Sequence, residues 1–179
     1  YKNGKRIQTI PVTNYSFNND NIMIGRHATD NYFFNGTIDE VRIWNVVRTE
    51  AEIKTNMYKE LSGSESNLVL YYKMSDGSGS SLTNNKSGGS NATINGGAAW
   101  VASGCFAGSR NALDFDGTDD YVNMSASFFD AFENLQHFSF CGWVYCTDFD
   151  INTNWGTFFT TYHQSNNDRV VLHQLPDNA

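Results

Sequence analysis

The sequence predicts an all-β protein, an antiparallel β-sandwich with one short peripheral helix. Three observations carry this prediction. Short apolar stretches follow one another along the chain, separated by turns rich in Gly, Asn, Ser and Asp. Apolar residues make up 40% and aromatic residues 15% of the 179 residues, which is enough for a core. Only one segment, around residues 50–61, has the periodicity of a helix.

The predicted strands differ in how clearly they alternate. In the segment 138–146, Phe138 and Phe140 share one face while Cys141 and Trp143 share the other. The segment 36–44 breaks its alternation, which predicts a β-bulge near residues 39–40. Further strands are predicted at residues 22–24, 68–74, 93–94, 98–101, 155–162 and 169–172, with an Asn-Gly hairpin at 1–7.

The helix is predicted from its start signal and its apolar stripe. Thr49 and Glu52 have the spacing of a capping box. Apolar residues then recur on one helical face, at Ile53, Met57 and Leu61. The small polar residues 62–67 that follow are typical of a linker.

The most informative stretch is the acidic turn, residues 116–120, between two alternating segments. Alternation on both sides of a Gly-containing Asp turn predicts a β-hairpin. The turn also concentrates carboxylates, from Asp116, Asp119 and Asp120, whose oxygens can converge on a hard cation such as Ca²⁺. The alternative is that these aspartates only cap the turn, as Asp does elsewhere.

Two groups of motifs resemble the laminin G-like domains of the concanavalin A-like lectin/glucanase superfamily, which include pentraxin-like jelly rolls. Three motifs of this chain resemble the back half of such domains: YKNG at 1–4, IMIG at 22–25 and GTIDEVRIW at 36–44. The front half resembles LVLYYK at 68–73, LDFDGTDDYV at 113–122 and FSFCGWV at 138–144. The resemblance therefore covers nearly the whole chain, in two pieces.

The order of the two pieces predicts the domain organisation. Residues 1–61 are expected to be the C-terminal part of one laminin G-like domain and residues 62–67 a linker. Residues 68–179 are expected to be the N-terminal part of a second, tandem domain. The alternative is one domain that is completed by swapping or by a neighbouring copy in an assembly.

The resemblance also implies further metal ligands. Jelly rolls of this kind often join their first hairpin to their last strand with one ion, which adds Asp39 to the acidic turn. Two pentraxin-like loops add three residues: Asp30, Asn167 and Asp168. The loop that holds Asp30 reads RHATD, so it lacks most of the acidic ligands of the family. The implied cofactor is calcium, which takes oxygen ligands in a flexible shell.

Aromatic side chains in or beside loops are candidates for glycan binding. An exposed ring supplies apolar area for a sugar, and neighbouring Asn and Asp side chains can read its hydroxyls. The candidates are Tyr32, Phe33, Tyr162 and His163. The alternative for each is local packing over the edge of the sandwich.

Charge and missing motifs exclude several functions. A net charge of −7 repels nucleic-acid phosphates and anionic lipid, so neither partner is expected. No apolar run is long enough to cross a bilayer, so membrane insertion is not expected. A glycosidase needs paired carboxylates, and the nearest pattern, at residues 37–42, lacks the first acid and the spacing of the last. No catalytic residue is therefore predicted.

The three cysteines, Cys105, Cys141 and Cys146, fit no zinc pattern. Cys141 and Cys146 are expected on opposite faces of one strand, so they cannot readily pair, while a bond between Cys105 and Cys146 stays open. The resemblance implies a partner for Cys141 in strands that this chain lacks. A secreted protein would hold at least one disulfide.

The function predicted from the sequence is a non-catalytic binding or adhesion module of a secreted or cell-surface protein built of tandem domains. Its expected partner is a glycan or a cell-surface or matrix protein, bound with the help of calcium. A second class is a structural building block of an extracellular filament, in which neighbouring copies complete each half-domain. A glycoside hydrolase is the third class.

Overall fold

The protein is an all-β sandwich of two antiparallel sheets with one helix beside it, as the sequence predicts. This structure, a computed structural model, describes residues 1–7, 22–27, 31–106, 108, 110–124, 137–147, 156–162 and 169–173. Within these ranges no helix has the length and apolar character needed to cross a membrane. The hairpin predicted at the start of the chain is a single bridge between Lys2 and Lys5 around Asn3 and Gly4.

The first sheet has six strands. Their order across the sheet is β11 (Arg169–His173), β10 (Thr157–Tyr162), β1 (Ile22–Ile24), β8 (Tyr121–Asn123), β5 (Ala92–Asn95) and β4 (Ser81–Leu82). The central strand β1 pairs with β10 on one side and with β8 on the other. Its three residues are buried because sheet and core cover them completely.

The second sheet has five strands and is organised around β2 (Asn35–Trp44). One side of β2 pairs along its length with β9 (Ser139–Cys146). The other side pairs first with β7 (Asn111–Asp116) and then with β3 (Leu68–Tyr72), and β6 (Ala99–Ala102) extends the sheet beyond β7.

The predicted bulge is confirmed at the point where β2 changes partner. The register with β9 shifts between Asp39 and Arg42. Glu40 has a φ of +54°, which places it in the left-handed region that non-glycine residues rarely adopt. Because of the bulge, the adjacent carboxylates of Asp39 and Glu40 are buried against different partners on the outer side of the sheet.

The hairpin predicted around the acidic turn is wrong. The strand before the turn, β7, belongs to the five-stranded sheet, and the strand after it, β8, belongs to the six-stranded sheet. The turn is therefore a corner between the two sheets. Phe115 and Val122, on either side of it, both enter the core between the sheets, and this burial separates the two strands.

Strands from residues 1–61 and from residues 68–179 share both sheets. From the first segment, β1 lies between β10 and β8, and β2 lies between β9 and the pair formed by β7 and β3. These two strands therefore occupy central positions that the second segment alone would leave empty. The origin of the segments in two tandem domains stays a prediction.

The core lies between the sheets and is rich in aromatic and branched side chains. Its fully buried members include Phe34, Phe115, Phe159, Ile24 and Ile43. A second, smaller cluster lies on the outer face of the five-stranded sheet and consists of Trp44, Leu61, Leu68 and Tyr71. The segment after the helix covers this second cluster through Leu61.

The helix α1 (Glu50–Asn56) begins as predicted but ends earlier than residue 61. The capping box between Thr49 and Glu52 is present in both directions. At the other end, the Arg42 guanidinium donates to the carbonyl oxygens of Asn56 at 2.7 Å and Lys59 at 2.6 Å. Asn56 is the last residue of α1, and its carbonyl oxygen also accepts from the Lys59 amide at 3.4 Å, so the buried arginine ties the end of the helix to β2.

Candidate metal centre at the acidic turn

The acidic turn is held by hydrogen bonds of its own aspartates. The amide of Thr118 donates to Asp116 Oδ1 at 2.7 Å, and the amide of Asp116 donates to Asp120 Oδ2 at 2.9 Å. Gly117 has a φ of +81°, a conformation that favours glycine. The turn residues therefore suit this corner locally, before any ligand is considered.

The carboxylates of the turn converge. Asp116, Asp119 and Asp120 each offer an oxygen, and these atoms lie within 4.8 Å of one another. Asp116 and Asp119 are exposed, while Asp120 is buried. Within the described residues none of the three forms an ion pair with Lys, Arg or His. The donor set is oxygen only, and it fits calcium by its chemistry.

Burial raises the pKa of the Asp120 carboxyl above its ordinary value of 3.8. The amide of Asp116 acts in the opposite direction, and the neighbouring charges of Asp116, Asp119 and Asp114 add to the rise. A carboxylate among like charges is costly to ionise. A cation among these oxygens would remove that cost.

The backbone of the turn is fixed by two glycines from other segments. A Cβ on Gly96 would lie 2.3 Å from the carbonyl oxygen of Asp119, and one on Gly25 would lie 3.3 Å from that of Asp120. Both glycines also have positive φ, 83° and 85°. Only residues without a side chain allow these segments to approach the turn so closely.

Aromatic residues stand beside the turn. The Arg26 guanidinium carbon lies 5.1 Å from the ring centroid of Tyr121 and 5.3 Å from that of Phe33. Tyr32 is 38% exposed, and its ring meets His27 edge-on with centroids 5.9 Å apart. Of the predicted glycan contacts, Phe33 is buried against Arg26, which also stacks on Tyr121 after the acidic turn, whereas the described ring contact of Tyr32 is with His27.

Asp39 does not join the acidic turn. Its carboxylate accepts hydrogen bonds from the amide of Glu40 at 2.8 Å, from the Cys105 thiol at 3.0 Å and from the Ser103 hydroxyl. The side chain is buried on β2, where Asp39 pairs in register with Trp143. Its oxygens are therefore not among those that converge at the acidic turn.

The other predicted site residues cannot be placed. Asp30, His163, Asn167 and Asp168 lie outside the described residues. Tyr162 is the last residue of β10, but its side chain is also outside the described part. The predictions for these five residues stay predictions.

The three cysteines are free thiols. Cys141 packs against the outer cluster and Cys146 against the core, so the predicted opposite faces of β9 are confirmed. Cys105 donates to Asp39, while Cys146 pairs in register with Gly36.

Sequence reasoning missed Arg26, Tyr121 and the two glycines around the turn. Arg26 lies in a polar loop, and only the pairing of β1 with β8 brings it to Tyr121. The positive φ of Gly25 and Gly96 has a weak sequence signal, since Gly25 directly follows the predicted strand 22–24 and Gly96 comes two positions after the predicted strand 93–94. Their contacts with the turn depend on strand order, which the local sequence does not encode.

Comparison with known proteins agrees with the motifs at the start of the chain. Residues 1–54 match the family model described as the concanavalin A-like lectin/glucanases superfamily. The resemblance predicted for the first segment is therefore confirmed over that span, and the family is one of general binding modules. No curated protein and no solved structure matches the chain.

Proposed function

We propose that this chain is a non-catalytic binding module of a secreted or cell-surface protein, and that it binds glycans with the help of calcium at the acidic turn. One observation carries the proposal. Three carboxylates have oxygens within 4.8 Å of one another, and no described cationic side chain neutralises them. Oxygen ligands of this kind suit calcium, in the weak range of about 10⁻⁴–10⁻³ M that extracellular modules use.

The surroundings of the turn support a glycan as the ligand. Tyr32 is partly exposed and lies on the loop whose Arg26 stacks on Tyr121, the residue directly after the turn. The exposed ring would offer a sugar an apolar surface, and a cation held by the turn would offer a centre for its hydroxyl oxygens. Asp116, Asp119 and Asp120 would hold the ion.

Binding to a glycan array in excess calcium and in EDTA tests the proposal. The wild-type chain should bind in calcium and lose binding in EDTA. Asp119→Asn should lose most of the calcium-dependent signal, and Tyr32→Ala should weaken it in calcium. Asp76→Asn is a matched control, because Asp76 is an exposed aspartate outside the turn that accepts from the amide of Thr83.

Two results would overturn the proposal. Equal binding in calcium and in EDTA would remove the metal from the function. Binding that survives in Asp119→Asn and Tyr32→Ala would place the ligand elsewhere on the molecule.

A further inference from the structure

Three aromatic side chains that are at least partly exposed lie beside one another at the outer face of the five-stranded sheet, and we call them the aromatic row: Tyr58, just after α1, and Trp143 and Tyr145 on β9. Tyr58 is 61% exposed and Tyr145 is 71% exposed, the two largest exposures among the described aromatic residues. The rings of Tyr58 and Trp143 have centroids 5.3 Å apart. Tyr145 follows Trp143 by two positions on β9, so both side chains leave the same face.

Two rings of the aromatic row are held in place by the fold. The Trp143 indole Nε1 donates to the carbonyl oxygen of Met57 at 2.9 Å, which fixes the ring against the end of α1. Tyr58 is the next residue along the chain and packs on that ring. Rings that are ordered before binding lose little conformational entropy when a ligand arrives.

Polar side chains lie directly beside the aromatic row. Tyr145 pairs in register with Thr37 on β2, and Thr37 pairs with Asp114 on β7, so the three side chains share one face. The Thr37 hydroxyl donates to Asp114 Oδ1 at 2.9 Å. Asp116, two positions after Asp114, is exposed on the same face and leads to the acidic turn.

We propose that the aromatic row and the adjacent Thr37 and Asp114 form a second glycan-binding surface, for the chain of a neutral polysaccharide. The C–H faces of successive sugar units would stack on Tyr145 and Tyr58, where their apolar area is desolvated. Sugar hydroxyls would donate to the Asp114 carboxylate, a charge-assisted hydrogen bond. The carboxylates of Asp114 and Asp116 disfavour an anionic polysaccharide at the same place.

The size of the surface favours a carbohydrate over a protein partner. Three rings offer at most about 150–250 Å² each, and Trp143 is already half-buried. A stable protein interface buries about 800 Å² on each partner. A polysaccharide strand can instead bind along a single row of rings.

This surface shares its ligand class with the proposed function but uses different residues. The site at the acidic turn depends on Tyr32 and on calcium. The aromatic row contains no residue of the converging carboxylates, so its binding should persist in EDTA. The two proposals can therefore fail separately.

Native electrophoresis in gels cast with soluble neutral polysaccharides tests the inference. The probes are barley β-glucan, galactomannan and dextran, with polygalacturonate as the anionic control. In EDTA the wild-type chain should be retarded by at least one neutral polymer and not by polygalacturonate. Tyr145→Ala and Tyr58→Ala should each raise the apparent Kd about tenfold. Both side chains are exposed, so thermal unfolding should confirm that these variants remain folded.

Asp76→Asn is the control, since it changes an exposed side chain that belongs to neither surface. Its retardation in EDTA should equal that of the wild type. The inference is overturned by the absence of retardation in all three neutral polymers. It is equally overturned if Tyr145→Ala and Tyr58→Ala are retarded like the wild type, or if polygalacturonate retards the chain most.

Discussion

Two regions of this molecule bring acidic side chains together, and they differ in what surrounds them. At the bulge of β2, Asp39 and Glu40 are buried, and each carboxylate has its own partners. At the acidic turn, Asp116, Asp119 and Asp120 converge on one another. Their only described hydrogen bonds come from amides of the turn itself.

The partners at the bulge explain why buried charge is tolerated there. Glu40 Oε2 accepts from the Arg42 guanidinium at 2.5 Å and from the Tyr71 hydroxyl at 2.7 Å. Arg42 also donates to the carbonyl oxygens of Asn56 and Lys59, at and just after the end of α1. Burial still raises the pKa of Glu40, while Tyr71 and Arg42 act in the opposite direction. Acidic residues whose carboxylates have hydrogen-bond partners thus stabilise the fold, whereas converging carboxylates without a cation are candidates for a ligand site.

The largest expected effect is that of Arg42→Ala. The change leaves Glu40 buried without its cation and removes the guanidinium donor from the carbonyls of Asn56 and Lys59. Breaking a buried pair costs about 3–5 kcal/mol, so the free energy of unfolding in urea should fall by that amount. Lys59→Ala is the control, because it keeps the Lys59 carbonyl and should change stability by less than about 0.5 kcal/mol. A loss below about 1 kcal/mol for Arg42→Ala would show that the bulge network is not structural.

The next largest change in stability is expected for substitutions at two adjacent tyrosines, Tyr71 and Tyr72. The Tyr71 hydroxyl donates to Glu40 and accepts from the Leu61 amide at 3.1 Å, so Tyr71→Phe should cost about 1–3 kcal/mol. The Tyr72 hydroxyl is buried in the core and has no hydrogen-bond partner among the described residues. Tyr72→Phe should therefore be neutral or stabilising in the same urea titration. Equal losses for the two variants would contradict the assigned network.

At the acidic turn, removing a charged group should stabilise the metal-free protein, whereas the substitutions of Arg42 and Tyr71 destabilise it. In the folded state the pKa of Asp120 is raised above 3.8, so the folded chain binds more protons than the unfolded chain just above that pH. Stability should therefore fall as the pH rises through the folded pKa.

The variant Asp120→Asn removes this repulsion and keeps an oxygen acceptor for the Asp116 amide. In EDTA at neutral pH it should gain about 1 kcal/mol, or about 2–4 °C in Tm. A loss of stability in EDTA would mean that the charge of Asp120 is already compensated.

The smallest effect on the metal-free protein is expected for Asp119→Asn. Asp119 is exposed, so its substitution should change the unfolding midpoint in EDTA by less than about 0.5 kcal/mol. Its effect should appear only when calcium is added. A large loss in EDTA would assign Asp119 a structural role in the corner.

Local sequence signals predicted the features that depend on neighbouring residues. The start of α1, the bulge at residues 39–40 and the two faces of β9 follow from capping, broken alternation and period-two patterning. Each of these features is decided within a few positions of the chain, so the sequence contains the necessary information.

The features that depend on distant partners were not predictable in this way. Alternation around a Gly-Asp turn looks the same in a hairpin and in a corner between sheets. The two are distinguished by strand pairing: Tyr121 pairs with Asn95 of β5 and not with β7. The helix pattern continues to Leu61, but the helix ends at Asn56, where Arg42 from another strand binds the backbone carbonyls of Asn56 and Lys59. The family resemblance adds Asp39 to the turn, and no local signal identifies Ser103 and Cys105 as its hydrogen-bond partners.

Thermal unfolding of the wild type and of Asp119→Asn, in excess calcium and in EDTA, tests the central claim most directly. A ligand that binds only the folded state stabilises it, by about 2.7 kcal/mol at a concentration of 100 Kd. We expect calcium to raise the wild-type Tm by about 5–10 °C and to leave the Tm of Asp119→Asn nearly unchanged. A wild-type Tm that is the same in calcium and in EDTA would contradict the assignment of the acidic turn as a metal centre.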